Sequence, residues 1–266
     1  MTTFQTAIQR DRVRVTGPDA TSFLQSLLSQ DLDAIGVGES AASLLLQPQG
    51  KLLVAFRALH VGPEEWWLLC DRGFGEKLAE GLARFKIRIK AEIAVDDVRV
   101  LAVRGVDVAP DVPAAFVDVV REGSWSGFDL VQPDDPGPDD PGPDDRDAYE
   151  RARIEAGVPS MGSELDETTI PQEAFLDRDA VSFTKGCFVG QELVCRIDTR
   201  GHVNRYLRRL RTDDALAVGD DVVYEGKVVG RVTSSAGDVG LAMLRREVEP
   251  GATVDVNGAR ANVEAV

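Results

Sequence analysis

The chain has 266 residues, 43% of them hydrophobic, and a formal net charge of −15. That length is enough for two domains or one large one, and the acidity argues against indiscriminate nucleic-acid binding, DNA included. No run approaches the roughly eighteen apolar residues of a membrane span, and Met1-Thr2-Thr3-Phe4-Gln5 lacks the basic start and apolar stretch of a signal peptide, so the expected location is the cytoplasm.

The first predicted strand, Val13-Arg14-Val15, runs into Gly17-Pro18-Asp19-Ala20, which starts a helix with Phe23, Leu24, Leu27 and Leu28 on one face. Residues 43–46 and 51–59 read as strands joined by Pro48-Gln49-Gly50, and Glu65 to Cys70 reads as a third, so an antiparallel sheet is expected. Residues 75–85 carry a helical pattern. Arg84-Phe85-Lys86-Ile87-Arg88-Ile89-Lys90 then alternates strictly, which predicts a strand with one basic side.

Between Val131 and Asp147 there are seven aspartates and one arginine, with Pro133-Asp134-Asp135-Pro136-Gly137 repeated directly as Pro138 to Gly142. The segment has nothing apolar to bury and many helix breakers, so it reads as a solvated surface insertion that does not divide independent folding units. Tyr149 to Ala156 reads as a helix stopped by Gly157 and Pro159. From about Arg205, short β-rich runs separated by Gly219-Asp220, Glu225-Gly226, Gly237-Asp238 and Asn257-Gly258 predict a small β-barrel or sandwich. The fold class is α+β, with one unit over 1–204 and a second over 205–266.

Cys70, Cys187 and Cys195 form no C-x-x-C pair, and His60 and His202 lie far apart, so the composition points to no metal or cluster site and no structural disulfide. The densest chemistry lies in Lys185-Gly186-Cys187-Phe188-Val189-Gly190-Gln191-Glu192. Glycines flanking Cys187 would place the thiol at the tip of a tight loop, where Lys185 and backbone N–H groups favour the thiolate. Alternatively, Cys187 is a small buried apolar residue and the glycines only make a turn.

This segment resembles the K-G-C-[F/Y]-x-G-Q-E signature of the YgfZ family of folate-binding proteins, relatives of the aminomethyltransferase of glycine cleavage that are linked to iron–sulfur cluster maintenance. Arg153-Ile154-Glu155-Ala156-Gly157-Val158-Pro159 and Ile170-Pro171-Gln172-Glu173-Ala174 resemble two further motifs of that superfamily, and the G-P-D-A-x-x-F-L-Q entry helix resembles a third. The resemblance implies an aminomethyltransferase-like domain followed by a β-barrel, with tetrahydrofolate or a one-carbon derivative as cofactor. It implies that Glu155 accepts the adjacent N–H donors of the pterin, as a carboxylate accepts from guanidinium. Lys185, Gly186, Gln191, Glu192 and Arg196 are implied to line the folate cleft, and Cys187 to carry the chemistry.

Six arginines, Arg196, Arg200, Arg205, Arg208, Arg209 and Arg211, fall within sixteen residues against the single acid Asp198. They could hold the glutamate tail of folate, or the phosphates of an RNA with Tyr206 stacking on a base, or form a salt-bridged surface. Net acidity favours folate over tRNA. After Gly50, where the aminomethyltransferases carry an aspartate, this chain has Lys51. The implied function is folate binding in support of iron–sulfur enzymes without aminomethyl transfer. The alternatives are a one-carbon transferase with Cys187 as nucleophile, or a docking module for cluster enzymes or tRNA.

Overall fold

A computed structural model describes residues 3–122, 125–133 and 144–266. The acidic repeat between Gln132 and Asp144, expected as a solvated surface insertion, falls almost entirely outside the described residues.

Strand β1 (Phe4–Thr16) is the spine of a seven-stranded sheet, paired antiparallel with β4 (Glu65–Asp71) on one side and β5 (Glu92–Arg104) on the other. Adding β2 (Ser40–Leu46), β3 (Leu52–Gly62), β6 (Phe116–Glu122) and β7 (Trp125–Val131) gives the order β2-β3-β4-β1-β5-β7-β6. The sheet curls until its ends approach: Ser40 of β2 and Arg57 of β3 both hydrogen-bond Asp118 of β6. The sheet is thus closed by side chains where the backbone ladder is open.

Helices α1 (Ala20–Leu27) and α2 (Gly75–Ala83) cover one face, burying Phe23, Leu24, Leu27, Leu78 and Leu82 against Val13, Val15, Val54 and Trp66. Helix α3 (Arg146–Ala156) ends where Gly157 takes φ +74° and donates to Ile154 O, the left-handed stop that glycine adopts without steric cost. Helix α4 (Gln191–Arg200) completes the first part of the chain.

Strands β8 (Arg205–Thr212), β9 (Asp221–Tyr224), β10 (Lys227–Ala236), β11 (Val239–Arg245), β12 (Thr253–Val256) and β13 (Ala259–Glu264) close into a six-stranded barrel. Its interior is aliphatic, built from Leu210, Val222, Val232, Leu244, Val254 and Val263. Its outer face adds Leu207, Val239, Leu241 and Met243 to a core shared with Leu44, Leu46, Ile154, Phe188 and Val194. The barrel therefore packs as a wall of the larger body.

One predicted strand is absent. Residues 84–90 form a turn and an irregular run, with Phe85 and Lys86 bonded back to Leu82 and Ala83 and Arg88 at φ +60°. A strand needs a ladder partner, and β5, into which this segment runs, already has β1 and β7 on its two sides. Left-handed Arg88 interrupts the alternation, and Phe85 and Ile87 face solvent.

Candidate functional site

A cavity of about 410 Å³ lies between the concave face of the sheet, α3 and the following segment Val158–Leu165. That volume is in the range of small-molecule sites. Five arginines, Arg10, Arg57, Arg72, Arg104 and Arg153, face the four carboxylates of Asp71, Asp118, Asp129 and Glu150, among apolar walls from Ile8, Leu44, Phe56, Val100 and Trp125. Arg57, Asp118 and Asp129 are strand residues whose neighbours along the chain are apolar, so the pleat carries them inward.

The charges are paired across strands. Arg10 pairs with Asp71 and donates to the Tyr149 hydroxyl at 3.1 Å. Arg57 pairs with Asp118. Arg104, 1% exposed, lies 4.3 Å over the Trp125 ring and makes a 2.8 Å ion pair with Asp129. That pair is incomplete: Arg104 Nε is buried without a hydrogen-bond partner, and Asp129 Oδ1, though 2.8 Å from Arg104 Nη1, is not aligned for a hydrogen bond. Arg153 donates to Ser234 of the barrel at 2.9 Å and to Glu164 at 3.2 Å, joining the cavity wall to β10. Burial raises the Tyr149 hydroxyl pKa above its ordinary value, with Arg10 opposing. These cavity residues escape a motif search because their partners are distant in sequence. The available signal was a charge inside an otherwise apolar strand, as in Val117-Asp118-Val119 and Phe128-Asp129-Leu130.

The residues singled out by motif fall elsewhere. Glu155 is half-exposed on α3, paired with Arg151 at 3.1 Å, while its carbonyl accepts from Arg209 of the barrel. Tyr149, Glu150 and Arg153 are the residues of that helix that line the cavity. Lys185, Gly186, Cys187, Gln191, Glu192 and Arg196 come together on one loop and the first turns of α4, but none of them lines the cavity.

Within that loop each side chain has a distinct job. The Lys185 ammonium donates to the carbonyls of Gln25, Leu28 and Gln30 at 2.7–2.8 Å, tying down the end of α1. Burial pulls its pKa down to about 8, opposed by Asp31 and Asp33. Phe188 and Val194 are buried in the shared core, and Gln191 Oε1 accepts from Phe188 N at 3.3 Å, closing the loop on itself. Cys187 is exposed, so the reading of it as a buried apolar residue is set aside.

Of the two glycines flanking the thiol, only Gly190 takes a positive φ, +78°, and a Cβ there would lie 2.4 Å from Gln47 O. Gly186 has no positive φ and faces open space, a correction to its expected role in the turn. Glu192 and Arg196 lie one turn apart on the exposed side of α4. Gln172 donates to Val194 O at 2.9 Å and buried Glu173 pairs with Arg205 at 3.0 Å, so the P-Q-E-A segment anchors α4 and the barrel.

The run of six arginines is not one basic surface. Arg205 is held by Glu173, Arg209 by Glu264, and Arg211 by Glu264 and Asp238. Arg208 is buried over Tyr206, and Tyr206 is stacked on Phe175 at 5.6 Å. Only Arg196 and Arg200, on α4, are exposed.

Residues 205–265 match the family model of the CAF17 C-terminal beta-barrel domain. The chain is similar to the human mitochondrial iron-sulfur cluster assembly factor IBA57, 29% identical over 90% of this chain and 76% of that protein. It is also similar to the tRNA-modifying protein YgfZ of Yersinia enterocolitica, 26% identical over 85% of this chain and 79% of that protein. Among solved structures, the glycine cleavage aminomethyltransferase T of Bartonella henselae superposes with a TM-score of 0.78 at 17% identity, covering 98% of this chain and 85% of that one. The aminomethyltransferase-like fold, the C-terminal barrel and the similarity to these relatives together support a YgfZ/IBA57-type family for the chain.

Proposed function

We propose that the protein binds tetrahydrofolate, or a one-carbon derivative of it, in the central cavity and supports iron–sulfur cluster assembly or repair in the cytoplasm, without aminomethyl transfer. The observation that carries this reading is the unsatisfied pair in the cavity wall. Arg104 Nε is a buried donor without a hydrogen-bond partner, and Asp129 Oδ1 is a buried acceptor whose 2.8 Å ion pair with Arg104 Nη1 lacks hydrogen-bond alignment, with the guanidinium over the Trp125 ring. A buried polar group without a partner costs about 1–3 kcal/mol, which a ligand offering a complementary donor and acceptor would recover. A pterin is such a ligand: flat enough to lie on an aromatic wall, with N–H and carbonyl groups along its edge. Asp129 and Arg104 would hold that edge. Bound tetrahydrofolate would supply a carrier for one-carbon units. Lys51, standing after Gly50 in place of the aspartate of the aminomethyltransferases, supports the absence of aminomethyl transfer. The relatives named as iron-sulfur cluster assembly factors support the cellular role.

Calorimetric titration with tetrahydrofolate tests the binding. Saturable binding weakened at least tenfold by Asp129→Asn is expected. Glu155→Ala tests the residue marked by the motif, which would have to leave Arg151 to reach a ligand in the cavity. No binding by the wild-type protein overturns the folate assignment. Exposed Cys187 favours a second reading, in which its thiolate is the nucleophile of a one-carbon transfer. Loss of turnover in Cys187→Ala with binding intact would select it, whereas failure of that variant to restore cluster enzymes in a deletion strain, without any turnover to lose, supports the assembly role.

A further inference from the structure

The segment predicted as a strand and found as a loop, Arg84 to Lys90, carries four cations in seven residues on a chain of net −15. Phe85 and Ile87 project from it, 42% and 76% exposed. Arg84, Arg88 and Lys90 meet no carboxylate within ion-pair distance among the described residues, and Lys86 has only Glu92 at 3.3 Å. Arg88, next to Ile87, is at φ +60°, a conformation unfavourable for a residue with a Cβ.

Beside this loop is a second concavity of about 430 Å³, lined by Leu45, Leu46, Pro48, Leu53, Gly81 and Phe85. Arg84 stands on its rim, and Glu167, also on the rim, is neutralised by Lys77 at 2.7 Å. The groove adjoins the cysteine loop. Its wall includes the Gln47–Gln49 turn, and Gly190, three residues from Cys187, packs backbone to backbone on Gln47 and Gly50.

We infer that this face docks a protein partner through an acidic segment bearing large apolar side chains, one of which fills the leucine-lined groove while its carboxylates meet Arg84, Arg88 and Lys90. Charge complementarity selects the partner's sign, because the cations stand out from a strongly acidic body. The floor of Leu45, Leu46, Pro48 and Leu53 takes an aliphatic side chain, which a protein segment carries and a nucleic acid does not. The concavity takes a protruding side chain, whereas a bilayer presents a flat surface. A partner seated here would lie beside the turn on which the loop of exposed Cys187 packs through Gly190. The surface is separate from the cavity, so this inference and the folate reading can fail independently.

The test is fluorescence anisotropy of the full chain with a labelled fourteen-residue peptide alternating Glu or Asp with Leu or Phe, at 0.15 M salt. Saturable binding is expected, at least tenfold weaker for Ile87→Asp and for Arg84→Glu/Arg88→Glu. These positions are exposed, so the variants keep the fold, which circular dichroism checks. Equal binding of an oligoglutamate of the same charge, or affinity unchanged in both variants, overturns the proposal. Binding to vesicles of 30% phosphatidylglycerol, or to tRNA, that exceeds peptide binding and is lost in the same variants also overturns it, assigning the face to a membrane or to RNA.

Discussion

Lys185→Met removes the ammonium that satisfies three backbone carbonyls at the end of α1. Hydrogen bonds to a charged donor contribute about 1.5–3 kcal/mol each, and the desolvation of a half-buried ammonium offsets part of the sum. A net loss of about 3 kcal/mol is expected, or roughly 6–10 °C in Tm for a chain near this size. Arginine should not rescue it, because its planar fork cannot aim at three oxygens converging on one point. The pH dependence provides a second check. The Lys185 pKa is pulled from 10.5 to about 8 in the folded chain, so between these values the unfolded state holds more protons and this group's contribution to stability rises with pH. The urea-midpoint difference between wild type and Lys185→Met should be flat below pH 8 and widen from pH 8 to 10.5. A loss under about 1 kcal/mol at pH 7 would refute the assignment of Lys185 as the anchor of α1, and a gap that narrows across that window would refute the lowering of its pKa by burial.

Gly190→Ala should cost more than about 3 kcal/mol, since φ +78° and a Cβ placed 2.4 Å from Gln47 O leave it nowhere to go, and urea unfolding will measure it. Asp129→Ala strands the buried Arg104 guanidinium and should destabilise by about 3–5 kcal/mol, against a much smaller effect for Asp129→Asn, whose amide oxygen still accepts; comparable losses would mean the pair contributes charge and not shape. With a chromogenic disulfide reagent, Cys187 should react in the native protein, while Cys70, buried and with its thiol pushed up to about 12, reacts only on unfolding. Equal rates would contradict the burial of Cys70.

The sequence made legible those features that depend on local chemistry. The glycine-punctuated runs after Arg205 gave the barrel, the apolar spacing of Phe23, Leu24 and Leu27 gave α1, and Gly157 gave the end of α3. Residues 84–90 were misread because alternation specifies which way side chains would point in a strand but cannot supply a free neighbour to bond to. The same limit governs the site. The signature loop was visible as a run of residues, yet the tasks of Lys185 and Gln191 are set by carbonyls and amides that only the fold delivers. The arginines of β8 looked like a basic surface because Glu173, Asp238 and Glu264, their partners, lie between twenty-seven and fifty-five residues away. Arg104 and Asp129 carried no motif at all.

The apolar cluster shared by Leu44, Leu46, Ile154 and Val194 with Leu207, Leu241 and Met243 has a consequence for inheritance. A lineage cannot shed or exchange the last sixty or so residues as a free module, because the remaining body would present a raw aliphatic face to water and to other nascent chains. The two parts must therefore change in step, each substitution on one side of the seam answered on the other, and a graft of a foreign barrel should succeed only if it brings the matching strip of leucine and valine with it.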